Sequence, residues 1–175
     1  MLVWMFFGFG GPQNPHTGGG QGGVGGGRTT DSADPCPADK RRFFNWLASP
    51  LGKMAQDLNT TKTLMLTEAA KEGGWTTKNL DHNQPLNNPF GVNKINSKGQ
   101  ASGNIAYPTL DAAIDYWKGR FGDRVRGTQT ADDFINGLEN PAQGQPYNAN
   151  VEGYTKAFKG VYDSMVKYMK TCGIQ

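Results

Sequence analysis

The 175-residue sequence predicts a mainly α-helical domain with a small β component, of the α+β class, and three observations carry that prediction. Apolar residues recur at helical spacing in four or five separate runs between Asp39 and Lys170. The one long stretch without that spacing, 73–108, is rich in Asn, Gly and Pro. Residues 8–27 are mostly Gly, which sets a flexible linker apart from the folded part. The chain therefore divides into 1–35, an apolar N-terminal peptide and Gly-rich linker, and 36–175, a folded domain large enough for a real core. Met1–Phe9 is far too short to span a bilayer. It has no basic flank and no small-residue cleavage site after it, so it is not read as a signal peptide.

The elements follow in order. Residues 39–48 read as a helix with Phe43, Phe44 and Leu47 on one face, and Pro50 is expected to stop it. Residues 60–72 read as a second helix, with Thr60 or Thr61 as N-cap and Gly73 as the natural residue past its end. In 73–108 only short strands are expected, at 90–94 and 103–107. That loop holds Trp75, Phe90 and Tyr107, and loops of such length in a compact domain are usually functional. Residues 109–121 place Leu110, Ala113, Ile114, Trp117 and Phe121 on one face. A short helix over 131–138 is capped by Thr130, with Asp133 near its positive end. Asn150 caps the last helix, 151–170, whose stripe is Tyr154, Ala157, Phe158, Val161, Met165 and Tyr168.

The net charge is +3, and from residue 36 onward 17 basic and 13 acidic residues leave +4. Such a mild excess suits an anionic polymer such as a bacterial cell wall. With no basic run beyond Lys40-Arg41-Arg42 and no basic–aromatic stripe, nucleic acid is not an expected partner. Cys36 and Cys172 stand at the two ends of the domain. They are either two unrelated thiols or a disulfide closing a very long loop, and a bond would point to an oxidising compartment such as the periplasm.

His16 and His82 are the only histidines, and neither sits in a cluster at metal-ligand spacing, so no metal or cofactor is expected. No nucleophile–histidine pattern or phosphate loop stands out. Carboxylate chemistry remains. Glu72 ends an apolar helix, just before Gly73-Gly74 and Trp75. A carboxyl desolvated beside a ring, at the negative end of a helix, keeps its proton toward neutral pH and serves as a general acid. Set against this is the ordinary reading of a solvated glutamate at a helix end. Glu68, one turn earlier, reads as a surface glutamate, or on the same face as a like charge that raises the Glu72 pKa.

"LTEAAKEGGW" (66–75) followed by "NNPFGVN" (87–93) resembles the motif pair of the bacterial glucosaminidases of glycoside hydrolase family 73, which cut peptidoglycan. Ala69, Glu72, Gly74 and Trp75 match the first motif, and Asn88, Phe90 and Gly91 the second. "AYPTLDAAIDYW" and "PYNANVEGYTKAF" resemble later segments of that family, so the resemblance covers about 45–172. It implies a lysozyme-like fold: a helical lobe and a small flexible β-lobe flanking a glycan groove. It implies Glu72 as the general acid, with Trp75, Asn88, Phe90, Tyr147 and Tyr154 as groove or motif-supporting residues, and Tyr107, an aromatic of the same loop, is a further candidate for stacking on sugar. Gly73 replaces the family's usual Ser and Thr76 its usual Gly, and 82–110 contains no Asp or Glu where a second carboxylate is often found. Either Asp81 or Asp111 then serves as base, or the substrate's own N-acetyl group is the nucleophile. A muramidase or lytic transglycosylase on the same fold, or a non-catalytic cell-wall glycan-binding module, are the alternatives. Peptidoglycan strands are the expected partner, with an export route other than a standard signal peptide. For an interbacterial toxin of this kind, an immunity protein would plug the groove.

Overall fold

A computed structural model of the chain describes residues 35–98, 100–142 and 144–175, so the expectations for 1–34 lie outside the described residues. In order, the elements are α1 (Ala38–Asp57), α2 (Lys62–Glu72), α3 (Thr77–Asn83), strands β1 (Asn93–Ile95) and β2 (Ala101–Asn104), α4 (Leu110–Val125), α5 (Ala131–Glu139) and α6 (Val151–Thr171). The expected class is what forms: mainly helical, with one two-stranded antiparallel sheet among the described residues. β1 and β2 pair Asn93 with Asn104 and Ile95 with Ala101, with an irregular register between.

Three boundaries differ from the sequence expectation. Pro50 lies inside α1 rather than ending it. Phe43, Phe44 and Leu47 before it and Leu51, Met54 and Ala55 after it are all buried. Continuing the helix keeps both halves in one core, which outweighs the single backbone bond a proline removes. α3 was not expected, because its seven residues show no periodicity. Thr76 caps it through Asn79 N, and Leu80 and Asn83 are its buried residues. The strands lie at 93–95 and 101–104, not at 90–94 and 103–107. Gly91 has φ +58°, which ends extended backbone before Asn93.

α2 is the central helix, packed between α1 and α6. Every residue from Leu64 to Ala70 is buried, so the helix is enclosed on nearly all sides. Of the two candidate caps it is Thr61 that accepts from Leu64 N, at 3.2 Å, while the Thr60 hydroxyl donates to Thr128 O. Across the domain runs a row of touching aromatic rings: Phe90, Trp117, Phe121, Tyr147, Tyr154, Phe158 and Phe134. It links the loop after α2 to α4 and then to α6. Cys36 and Cys172 form a disulfide, Cα to Cα 4.7 Å, joining the start of α1 to the end of α6. Among the described residues no helix is long and apolar enough to cross a membrane.

Candidate active site

The end of α2 and the 87–92 loop are built against each other. Gly73 caps α2, and the left-handed residue is Gly74, φ +78°, one position further than expected. A Cβ on Gly73 would fall on the Pro89 carbonyl, and one on Gly91 would press on the Glu72 carbonyl. The two glycine-bearing motifs therefore interlock through bare backbone. This explains why Gly stands at 73, where the resembling family carries Ser: no side chain fits there. Asn83 donates to Gly73 O at 2.6 Å, and Asn104 of β2 donates to Asn83 Oδ1 at 3.1 Å, so α3 and the hairpin brace the same turn.

Asn88 is fully buried and acts as the loop's bracket. Its amide donates to Val92 O and Ile105 O, and its carbonyl oxygen accepts from Val92 N, each within 2.9–3.0 Å. Phe90 is also fully buried, stacked on Trp117 with centroids 5.2 Å apart. Neither offers a surface to a ligand in this conformation, so their place is structural support of the motif rather than sugar contact. Trp75 packs edge-on against Phe43 and Tyr168, with the Lys40 ammonium 4.4 Å from its ring. It pins the chain leaving α2 to α1 and α6. The ring beside the Glu72 end of the helix is instead that of Tyr154, with the Lys71 ammonium 4.3 Å from its centroid. Tyr107 is half-buried against Tyr116, and its hydroxyl is enclosed without a partner.

The Glu72 side chain is completely enclosed, and Lys71 Nζ lies 2.6 Å from its Oε1 while Lys71 itself is 11% exposed. Of the two readings of Glu68, the surface one fails, since it is fully buried, and the like charge that raises the Glu72 pKa holds. The reason for the burial is that α2 has no solvent face along most of its length. Tyr154 donates its hydroxyl to Glu68 Oε2 at 2.6 Å. Tyr147 and Trp117 lie close enough to favour the charged form of Glu68, although Tyr147 OH, Trp117 Nε1 and Glu68 Oε1 close no hydrogen bond. Both tyrosines of the "PYNANVEGY" segment are thus site-forming residues buried beside α2, with ring centroids 5.5 Å apart.

A third carboxylate, missed by sequence reasoning, completes the cluster. Glu139, the last residue of α5, is 1% exposed. Its Oε2 accepts from Asn148 N at 3.3 Å, and Tyr147 N donates to Leu138 O at 3.0 Å, tying the 147–148 segment to the end of α5. One readable signal was its place at the end of the strongly amphipathic run 131–138, a turn away from "QPYN". Asp81 and Asp111 are elsewhere. Asp81 is exposed and engaged by Arg42. Asp111, in the first turn of α4, lines a groove of about 420 Å³ with Lys53, Asp57, Asp115 and Lys118.

The electrostatics follow from enclosure. Burial pushes Glu72 up to about 8, the negative charge of Glu68 adds to this, and the Lys71 ammonium opposes it. Glu139 rises to about 7, mainly through desolvation, with Glu68 adding and Asn148 N, Lys71 and Arg124 opposing. Glu68 is raised by burial against the pull of the Tyr154 hydroxyl and of Lys71. Three enclosed carboxylates, with Lys71 among them and Arg124 acting only on Glu139, resist ionising together in a low-dielectric interior. Near neutral pH the cluster holds protons, and Glu72 is a carboxyl able to donate one.

No family model matches the chain, and no curated protein matches it. Among solved structures it is similar to a chain from the structure of a type VI secretion system effector-immunity complex from Pseudomonas protegens. The TM-score is 0.55 at 17% sequence identity, over 77% of this chain and 99% of that one. At that identity the likeness is one of fold.

Proposed function

We propose that the chain is a peptidoglycan hydrolase that cuts the glycan backbone as an endo-β-N-acetylglucosaminidase, on a lysozyme-like fold, with Glu72 as its general acid. One observation carries the reading: Glu72 is enclosed where the two interlocked motifs meet, and its carboxyl keeps a proton close to neutral pH. Glu72 gives that proton to the glycosidic oxygen as the C1–O bond breaks. Asp81 and Asp111 sit on exposed flanks, which favours the substrate's N-acetyl oxygen as the nucleophile, with water then opening the cyclic intermediate. Because the Glu72 side chain is enclosed in this conformation, with Lys71 on its Oε1, the reading requires this enclosure to open when a sugar enters. Tyr107 and the hairpin are the loop elements left to contact the glycan.

The same reading makes the chain a toxin delivered into the periplasm of a rival cell, with an immunity protein as its natural inhibitor. The fold likeness to a chain of an effector-immunity complex supports this, as does a disulfide that persists only in an oxidising compartment.

The test is mass spectrometry of muropeptides released from purified peptidoglycan by the full chain and by Glu72→Gln. Expected are fragments ending in reducing N-acetylglucosamine from the wild type, and a rate lower by roughly 10²–10⁴ for the variant. Reducing or anhydro N-acetylmuramic ends would move the cut to the muramidase or transglycosylase bond. No release by the wild type would refute hydrolysis and leave a glycan-binding module.

A further inference from the structure

The family resemblance leaves an empty place for a second carboxylate in 82–110, and the fold brings one in from a different element. Glu139 arrives from the C-terminal end of α5 and is enclosed to 1% exposure. One oxygen is held by Asn148 N and the other has no partner. A continuous set of contacts leads from it to the general acid. Tyr147 is bonded to the same turn of α5 and packs on Tyr154. Tyr154 binds Glu68 and carries Lys71 over its ring, and Lys71 binds Glu72.

We propose that Glu139 is a positioning residue for the general acid: a buried carboxylate linked by contacts to the Glu68–Lys71–Glu72 row, whose negative charge helps hold the proton on Glu72. The inference rests on the hydrolase reading above. Glu139 is given no contact with substrate here: it stands at the far end of the contacts that lead through Tyr147, Tyr154 and Lys71 to Glu72. Its effect is exerted through Glu72. The charged and titratable groups that face this cluster are Glu68, Lys71 and Glu72 from α2, Arg124 from α4, Glu139 from α5, and Tyr147 and Tyr154 from the last segment. Removing the Glu139 charge takes away one of the two negative charges that oppose ionisation of Glu72, Glu68 being the other, while Lys71 stays to favour it, and the acid then loses its proton at lower pH.

Two measurements on the full chain test this. The first is the pH profile of kcat/KM on solubilised peptidoglycan for wild type, Glu139→Gln and Glu139→Asp. For Glu139→Gln the alkaline limb is expected to move down by roughly one pH unit, with activity near pH 5 within about twofold of wild type. Glu139→Asp, which restores the charge, moves the limb back. An equal loss at every pH, or an unmoved limb, would overturn the proposal in favour of a packing role. The second is a carbon-13 titration of the glutamate carboxyls, which needs no activity. In the wild type the Glu72 resonance should show two steps, one tracking Glu139, and a single step would overturn the proposal even if Glu139→Gln fails to fold. If the wild type leaves peptidoglycan intact, hydrolysis fails while this titration still decides whether Glu139 governs the proton on Glu72.

Discussion

At the scale of single residues, the cluster around α2 sets function against stability. A carboxylate whose folded pKa is raised favours folding while it is protonated in both states. That advantage is complete below its ordinary value of 4.5 and is lost as pH rises through the folded value, about 8 for Glu72. Glu139, raised to about 7, acts in the same direction. The fold should therefore weaken between pH 5 and 9, by an amount on the order of a few kcal/mol for so enclosed a group. Glu72→Gln removes its own part of that slope. It should raise the melting temperature at pH 8.5 while changing it little at pH 5, the opposite of its effect on catalysis. Thermal unfolding of both proteins across this range checks it. Parallel pH curves would mean that Glu72 is solvated and titrates as an ordinary carboxylate.

At the scale of elements, the site depends on backbone fit between the end of α2 and the 87–92 loop. Gly91 combines φ +58° with a contact that a methyl group would close against the Glu72 carbonyl. Gly103 also has a positive φ, +112°, yet nothing lies within 4 Å of where its Cβ would stand. Gly91→Ala should thus cost about 1–3 kcal/mol, through strain and displaced backbone together, and take most of the activity with it. Gly103→Ala should cost only strain and spare the turn that encloses Glu72, so its losses should be the smaller. Urea denaturation paired with a peptidoglycan assay separates them, and equal losses for both would sink the interlocking argument.

The same elements show what was legible beforehand. Helices α4, α5 and α6 and the caps Thr130 and Asn150 follow from local pattern, since an amphipathic stripe and a capping side chain are local signals, whereas the Thr109 cap of α4 was not expected. Glu72 as the chemical candidate was legible from its helix end and its motif. The burial of Glu68 was not, although "TLMLTEAA" is apolar on every side and so marks a helix without a solvent face. The passage of α1 through Pro50 and the arrival of Glu139 are tertiary outcomes. Each depends on what another helix presents, which no window of sequence contains.

At the scale of the whole molecule, the disulfide closes 136 residues of sequence around the core, fastening the first and last helices that flank α2. A cross-link over so long a loop acts chiefly by restricting the unfolded chain, and the loop-entropy argument allows up to about 5 kcal/mol. The native site does not use either cysteine, so reduction should change stability without changing the arrangement around Glu72. Cys36→Ser with Cys172→Ser should lower the urea midpoint and steepen the denaturant dependence, because the unfolded chain expands further once unlinked. The expected loss is roughly 2–5 kcal/mol, with activity in dilute buffer retained as long as the chain stays folded. A midpoint unmoved by reductant or by the double substitution would mean that the core alone holds α1 and α6 together. A lowered midpoint gives the chain a fold that is weaker in a reducing compartment than in an oxidising one, and ties its working stability to the kind of compartment where its proposed substrate lies.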